Sequence, residues 1–398
     1  MKLPDFRLPF AAHARATPRH VRATPQALLA TIDATLSRAF RDAGLVTHGG
    51  IPPGIRATLD DAFAAAGLRG VSRAGGGPAT YEGSAIVAAN DDDAAVVAPD
   101  VGAPRETERG RFTSGSFTND AGTRGYKLYV PARLPDAPDE RMLVVMLHGC
   151  TQTPDDFAAG TRMNALAERE GLVVLYPAQD PAANASRCWN WFRPDDQERS
   201  RGEPAIIAGM ARDVAQAQGI GSDRVFVAGL SAGAAMAVTL GATYPDVFAG
   251  VGAHSGLAHR AARDVASAFA AMHGGGVGAN ARPTGARGAP VPTIVFHGTA
   301  DHTVKPGNGA AIVDWLVTGV DDPLQPVRHA GRTPGGRAYQ RIVYADRTGR
   351  PVVEHWVLEG IAHAWSGGSP DGSYTDASGP DASMEMVRFF REQPTGRH

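Results

Sequence analysis

Val225-Phe226-Val227-Ala228-Gly229-Leu230-Ser231-Ala232-Gly233 is the stretch whose reading decides the fold. Its first four residues, apolar and partly β-branched, read as a buried strand. A Gly-X-Ser-X-Gly pentapeptide follows, and an Ala-rich helical run continues through Thr243. Strand, sharp turn and helix with serine at the apex is the context in which this short motif carries chemistry. Small residues at Gly229 and Gly233 let strand and helix approach closely. The Ser231 hydroxyl then stands at the carboxyl end of a sheet and at a helix N-terminus, whose free N–H groups favour developing negative charge. The competing reading is a plain serine cap after a glycine turn.

Working outward, short apolar runs alternate with helical segments. Gly125–Val130 reads as an alternating strand and Met142–Leu147 as a continuous apolar strand ending at His148-Gly149. A helix is expected over Met163–Glu170, a strand over Leu172–Tyr176 and a long helix over Glu203–Gln218. After the Ser231 elbow come strands at Ala249–Ala253 and Thr293–Phe296, and a helix at Ala310–Val317. A strand pair at Tyr339–Tyr344 and Val352–Leu358 precedes a closing helix at Asp381–Arg391. This alternation predicts an α/β architecture, a mainly parallel sheet with helices on both faces. Ligands of such sheets sit at the carboxyl ends of the strands.

The first 110 residues differ in texture and carry no recognisable chemistry. Leu28, Leu29, Ile32, Leu36 and Phe40 fall at helical spacing within 25–45, and a weaker helix covers about 55–67. From Val71 to about Gly110 a Gly/Ala/Asp/Pro composition with Asp91-Asp92-Asp93 reads as a linker. The expected division is therefore a partly disordered region 1–110 and a domain 111–394. Residues 273–290 read as a Gly/Pro/Arg-rich surface insert.

A serine hydroxyl needs a base to take its proton and a carboxylate to orient that base. On a strand–elbow scaffold these follow in the order acid, then histidine. Asp301, just past the strand ending His297-Gly298, fits the acid; a turn aspartate is the alternative, and Asp314 falls inside the next helix. His363 fits the base, in the loop after the last strand and before the last helix. Of the 13 histidines, His355 sits within a strand, His302 precedes the last strands, and His297 suits a structural role. The oxyanion hole needs two backbone N–H groups. Ala232 follows the nucleophile, and Cys150 in the His148-Gly149-Cys150 loop supplies the second candidate, with Gly149 beside it. Trp189, Trp191 and Trp365 lie near these loops, either as core or as walls of a substrate cleft. Trp365, two residues from His363, is the stronger cleft candidate.

Net charge of -2 over 398 residues, with Lys and Arg dispersed, argues against a nucleic-acid partner. No apolar run reaches the roughly 18–20 residues of a membrane span. The start, Met1-Lys2-Leu3-Pro4-Asp5-Phe6, lacks the apolar core of a secretory signal, which points to the cytoplasm.

Four motifs, in order, carry a resemblance. Leu147-His148-Gly149-Cys150-Thr151-Gln152, Cys188-Trp189-Asn190-Trp191-Phe192, Gly229-Leu230-Ser231-Ala232-Gly233 and Gly360-Ile361-Ala362-His363-Ala364-Trp365-Ser366-Gly367-Gly368 together resemble the poly(3-hydroxybutyrate) depolymerase family of esterases. The likeness runs from about Phe117 to Phe390. It implies an α/β-hydrolase fold and a Ser–His–Asp serine esterase acting on short-chain polyhydroxyalkanoates, polymer or oligomer, without metal or other cofactor. The family's nucleophile, acid and base match Ser231, Asp301 and His363, and its oxyanion donors match Cys150 and Ala232. Its paired cysteines match Cys150 and Cys188, implying a disulfide. The resemblance also implies an extracellular setting, against the cytoplasmic expectation above. Feruloyl and acetyl-xylan esterases share the motifs, so they form the alternative within the class. A non-catalytic, granule-associated scaffold is the alternative outside it.

Overall fold

The computed structural model describes residues 110–275, 290–318, 320 and 322–394. The expected helices at 25–45 and 55–67, the linker from 71 up to residue 109 and the core of the 273–290 insert lie outside the described residues.

Ten strands of the described residues form one sheet: β1 (Arg111–Asn119), β2 (Gly122–Val130), β3 (Leu143–Leu147), β4 (Val173–Pro177), β5 (Val225–Leu230), β6 (Gly250–His254), β7 (Thr293–Gly298), β8 (Gln325–Arg332), β9 (Ala338–Ala345) and β10 (Pro351–Leu358). Their order is β1-β2-β4-β3-β5-β6-β7-β10-β9-β8. From β4 to β10 neighbours run parallel, and the pairings at both ends are antiparallel. Two short strands, β11 (Trp365–Ser366) and β12 (Thr375–Asp376), pair separately in parallel. The helices are α1 (Pro154–Thr161), α2 (Met163–Glu170), α3 (Gly202–Ala217), α4 (Ala232–Thr243), α5 (Val265–Ala270), α6 (Gly307–Val317) and α7 (Ala382–Arg391).

The central strands are apolar throughout because both of their faces are covered. Alternate side chains enter opposite cores, the period-two consequence of the pleat. Leu143, Val145, Leu147, Val225 and Val227 pack with α3, α4 and α6. Met142, Val144, Met146, Phe226 and Ala228 pack with α1, α2 and α7. This is the α/β-hydrolase fold.

Several elements are absent from the expectations, the short α5, β11 and β12 among them, and for three others the physical reason is plain. In β8 no side chain is buried, so its sequence has no apolar period. β1 is made largely of Ser, Thr, Gly and Asn and buries no side chain fully. α1 is only eight residues long and opens on Pro154, with Thr153 capping it through the Asp156 N–H.

A disulfide joins Cys150, after β3, to Cys188, after β4. Closing a loop of 38 residues' separation stabilises the fold by about 4 kcal/mol in the chain-entropy account.

The tightest packing is at the serine elbow. A Cβ on Gly229 would stand 2.5 Å from the Gly233 carbonyl carbon, and one on Gly233 would meet the Leu147 and His148 carbonyl oxygens. These obstacles are backbone and cannot rotate away. Gly233→Ala is expected to destabilise by about 3 kcal/mol. Gly307→Ala, where a Cβ meets nothing within 4 Å, should change stability by less than about 1 kcal/mol. Thermal unfolding of both variants checks the contrast.

Candidate active site

The carboxyl ends of β3, β5, β6, β7 and β10 lie along one edge of the sheet, and each delivers a polar residue there. After β5 the chain turns through Ser231, whose φ of 58° and ψ of -119° are outside the usual range for a side-chain-bearing residue. The strain is held from both sides. The Ser231 N–H donates to the His254 carbonyl at 2.9 Å, and the Ala235 N–H donates to the Ser231 carbonyl at 3.0 Å. Ala232 opens α4, and its N–H has no acceptor among the described residues.

Asp301 follows β7 and its side chain is fully buried. Oδ1 accepts the N–H groups of Thr303 at 3.0 Å and Val304 at 2.8 Å. Oδ2 accepts from His363 Nδ1 at 2.7 Å. His297 Nε2, which donates to the Val304 carbonyl, lies 3.5 Å from the same oxygen. Burial works to raise the Asp301 pKa, but the contacts from His297, His363 and the Val304 N–H outweigh it and hold the carboxyl well below its usual range. The group is a permanent carboxylate at ordinary pH. His363, 12% exposed, thus has Nδ1 committed and Nε2 available.

The loops bearing these two residues are laced together. Ala300 N–H donates to the Ile361 carbonyl, Thr299 N–H to the Leu358 carbonyl, and Gly360 N–H to Thr299 Oγ1. Gly298 is required because a Cβ there would strike the Ile361 carbonyl.

The loop after β3 approaches Ser231 from another side. A Cβ on Gly149 would lie 3.7 Å from the Ser231 Cβ. The Gly149 N–H is taken by Gln152 Oε1 at 2.9 Å, whereas the Cys150 N–H has no acceptor among the described residues. Gln152 in turn donates to Asp156 Oδ2 and the Ser373 carbonyl. Beneath the loop, Trp189 Nε1 donates to the His148 carbonyl and the Gln179 N–H donates to His148 Nε2. Gln179 Nε2 binds both the Cys188 carbonyl and Glu203, and Glu203 also accepts from Asn190 N and Nδ2. A buried carboxylate so partnered braces the disulfide loop, although burial and nearby Asp196 push its pKa up.

The three tryptophans require a correction. Trp189 and Trp365 are 0% and 1% exposed, and Trp191 is 6% exposed. They are core, not cleft walls: Trp365 packs edge-on against Phe157, stacks on His254 and donates to Ser383 Oγ. Large aromatic area near a site loop is as useful for bracing the loop as for holding ligand. His297, expected as purely structural, touches Asp301 directly. His254 and Gln152 have no role in the sequence reading. The signal for His254 is its place at the end of the strand following the elbow helix; for Gln152 it is a lone amide in a tight loop of small residues.

Comparison with known proteins places these features. The family described as esterase PHB depolymerase matches residues 124–321. Poly(3-hydroxyalkanoate) depolymerase C of Paucimonas lemoignei is 35% identical over 257 residues, which is 62% of this chain and 59% of that protein. The chain therefore spans less than two thirds of that relative. Feruloyl esterase B of Neurospora crassa is 30% identical over 235 residues, 55% of this chain and 76% of that protein. Among solved structures, an acetyl xylan esterase from Aspergillus awamori matches with a TM-score of 0.54 and 20% identity, over 70% of this chain and 99% of that one; it supports the fold.

The buried histidines make stability depend on pH. Burial first, then neighbouring positive charge, depresses His148 to about 4, His254 to about 3, His259 to about 4 and His355 to about 4, from an ordinary 6.5. Below pH 6.5 the unfolded chain takes up protons that the fold refuses, so stability is full above 6.5 and falls as pH drops toward 4. Each group contributes up to ~1.4 kcal/mol per pH unit in that window. Glu203 and Asp196, with raised pKa, act in the opposite sense but are fewer. Urea midpoints should hold from pH 8 to 7 and decline steeply from 6.5 to 4.5; a flat profile would contradict these assignments.

Proposed function

The chain belongs to the PHB depolymerase family of esterases, and from that premise we propose that it hydrolyses carboxylic esters with Ser231 as nucleophile, His363 as base and Asp301 as the carboxylate that orients His363. The observation that carries the reading is the buried Asp301 carboxylate bonded to His363 Nδ1, on the same sheet edge as a serine held at positive φ.

His363 Nε2 takes the Ser231 hydroxyl proton as Oγ bonds to the ester carbonyl carbon. The carbonyl electron pair moves onto oxygen, facing the unengaged N–H groups of Cys150 and Ala232. Each such donor supplies about 3–4 kcal/mol in the transition state. Collapse of the tetrahedral species breaks the ester C–O bond, and the imidazolium returns its proton to the departing alcohol. Water then repeats the sequence on the acyl-enzyme and releases the acid. Asp301 stays ionised throughout and stabilises the imidazolium. The substrate proposed is poly(3-hydroxybutyrate) or its oligomers, in line with the Paucimonas relative. The feruloyl esterase relative, of which the chain covers 76%, favours feruloyl or acetyl esters of plant polysaccharide as the second reading.

Ser231→Ala should lower kcat on p-nitrophenyl esters by about 10⁴-fold or more and abolish fluorophosphonate labelling. Near-wild-type turnover in that variant would remove the mechanism, and an unlabelled wild type would favour the scaffold alternative. Turnover of polymer film, soluble oligomer and feruloyl ester separates the substrate readings. Gln152→Ala releases the Gly149 N–H and unties the loop from Asp156 and Ser373. It should reduce kcat about 10- to 100-fold with KM changed less than threefold, measured on the same esters.

A further inference from the structure

We propose that Tyr374 contacts the substrate and selects esters whose acyl part extends beyond two carbons, its ring face forming the acyl wall beside the oxyanion loop. This rests on Ser231 being the nucleophile.

Four large hydrophobic residues are markedly exposed among the described residues: Val265, Val327, Tyr374 and Met384. Three lie on α5, β8 and α7. Tyr374 alone belongs to a loop of the site, and its side chain is an aromatic ring, 41% exposed. With the three tryptophans buried and Phe192 half-buried, it is the most open aromatic ring on the site loops.

Its attachments tie it to two loops of the site. The Tyr374 carbonyl accepts the Trp365 N–H at 2.7 Å. β11 and β12 pair in parallel with Trp365 opposite Thr375, so Tyr374 enters β12 from the same end at which the chain enters β11 from His363. The Tyr374 hydroxyl lies 3.3 Å from Thr151 Oγ1, one residue beyond the Cys150 N–H. The backbone of Tyr374 is therefore on the base loop and its hydroxyl on the oxyanion loop, the two loops that flank Ser231.

The residue is held there at a cost. Its φ is 53°, a conformation glycine or asparagine adopts more readily. The preceding Ser373 is fixed by its N–H and Oγ on Asp156 and by Gln152 Nε2 on its carbonyl. A turn with no further duty has no need of a bulky aromatic in a strained, exposed position.

The chemistry follows from reach. With an ester carbonyl oxygen at the Cys150 N–H, the tyrosine hydroxyl sits a residue further along, and a residue spans about 3.8 Å. On this proposal an acetyl methyl, one bond from the carbonyl carbon, makes little contact with the ring, whereas a butyryl, 3-hydroxybutyryl or aryl-acryloyl group lays apolar surface on its face.

The test is a pair of variants, Tyr374→Ala and Tyr374→Phe, assayed on p-nitrophenyl acetate, butyrate and hexanoate, which share one leaving group. Fluorophosphonate labelling of Ser231 is run in parallel on wild type and both variants. Tyr374→Ala should lower the butyrate-to-acetate ratio of kcat/KM about tenfold, through KM, while Tyr374→Phe keeps that ratio within twofold. An unchanged ratio in Tyr374→Ala overturns the proposal. So does an equal kcat loss on all three esters in both variants, which would mean that the hydroxyl merely positions Thr151. Loss of labelling in wild type sinks the Ser231 reading instead, and is recognisable as such because it does not depend on the variants.

Discussion

Backbone-to-backbone contact at Gly229 and Gly233 is the constraint on which the rest of this structure depends. Strand β5 and helix α4 meet with no side-chain atoms between them, and α4 rests directly on the carbonyls of Leu147, at the end of β3, and His148, just after it. That proximity sets Ser231 beside the Gly149–Cys150 loop. It also forces the serine into a positive φ, which the surrounding hydrogen bonds sustain. A side chain at either glycine separates the layers and moves the hydroxyl away from the Gly149–Cys150 loop.

Around this contact the charges are sorted by burial. Asp301 is kept ionised by converging donors in a site that excludes water, while His148 and His254 are kept neutral because the desolvation of an imidazolium outweighs what Gly149, Asp156 and Asp301 offer it. The neutral rings then serve as shape and as hydrogen-bond acceptors: His254 Nε2 takes the Ser366 N–H, and His148 Nε2 takes the Gln179 N–H. His363, partly exposed and bonded to a carboxylate, stands apart from them. The same imidazole group thus has two uses on one sheet edge, divided by environment.

Much of this is legible in the primary structure, where the signal is local. The Ser231 elbow can be read because its strand, turn and helix are contiguous. Asp301 and His363 can be nominated because each follows an apolar run at a strand end. What escapes is what depends on partners distant along the chain. Gln152 matters through Ser373, 221 residues away. Strand β8 is held by its neighbour and not by any apolar pattern of its own. Tryptophans 189 and 365 look like ligand surface because their sequence neighbours are site loops, yet the other side of each ring is packed by Cys150-loop backbone, Phe157 and His254.

The amino-acid sequence by itself determined the periodicity of the strands, the positions of the turns, the side-chain-free glycines of the elbow and the order serine, aspartate, histidine. All are properties of residues within a few positions of one another. Only the tertiary structure decided that His297 joins His363 at the buried carboxylate, which loop N–H groups stay unengaged, and which aromatic ring is left in the open. Those outcomes follow from β10 docking in parallel beside β7, and from the β11–β12 pairing. They are long-range contacts, won by burial summed over the entire sheet, and no local stretch contains the information to predict them.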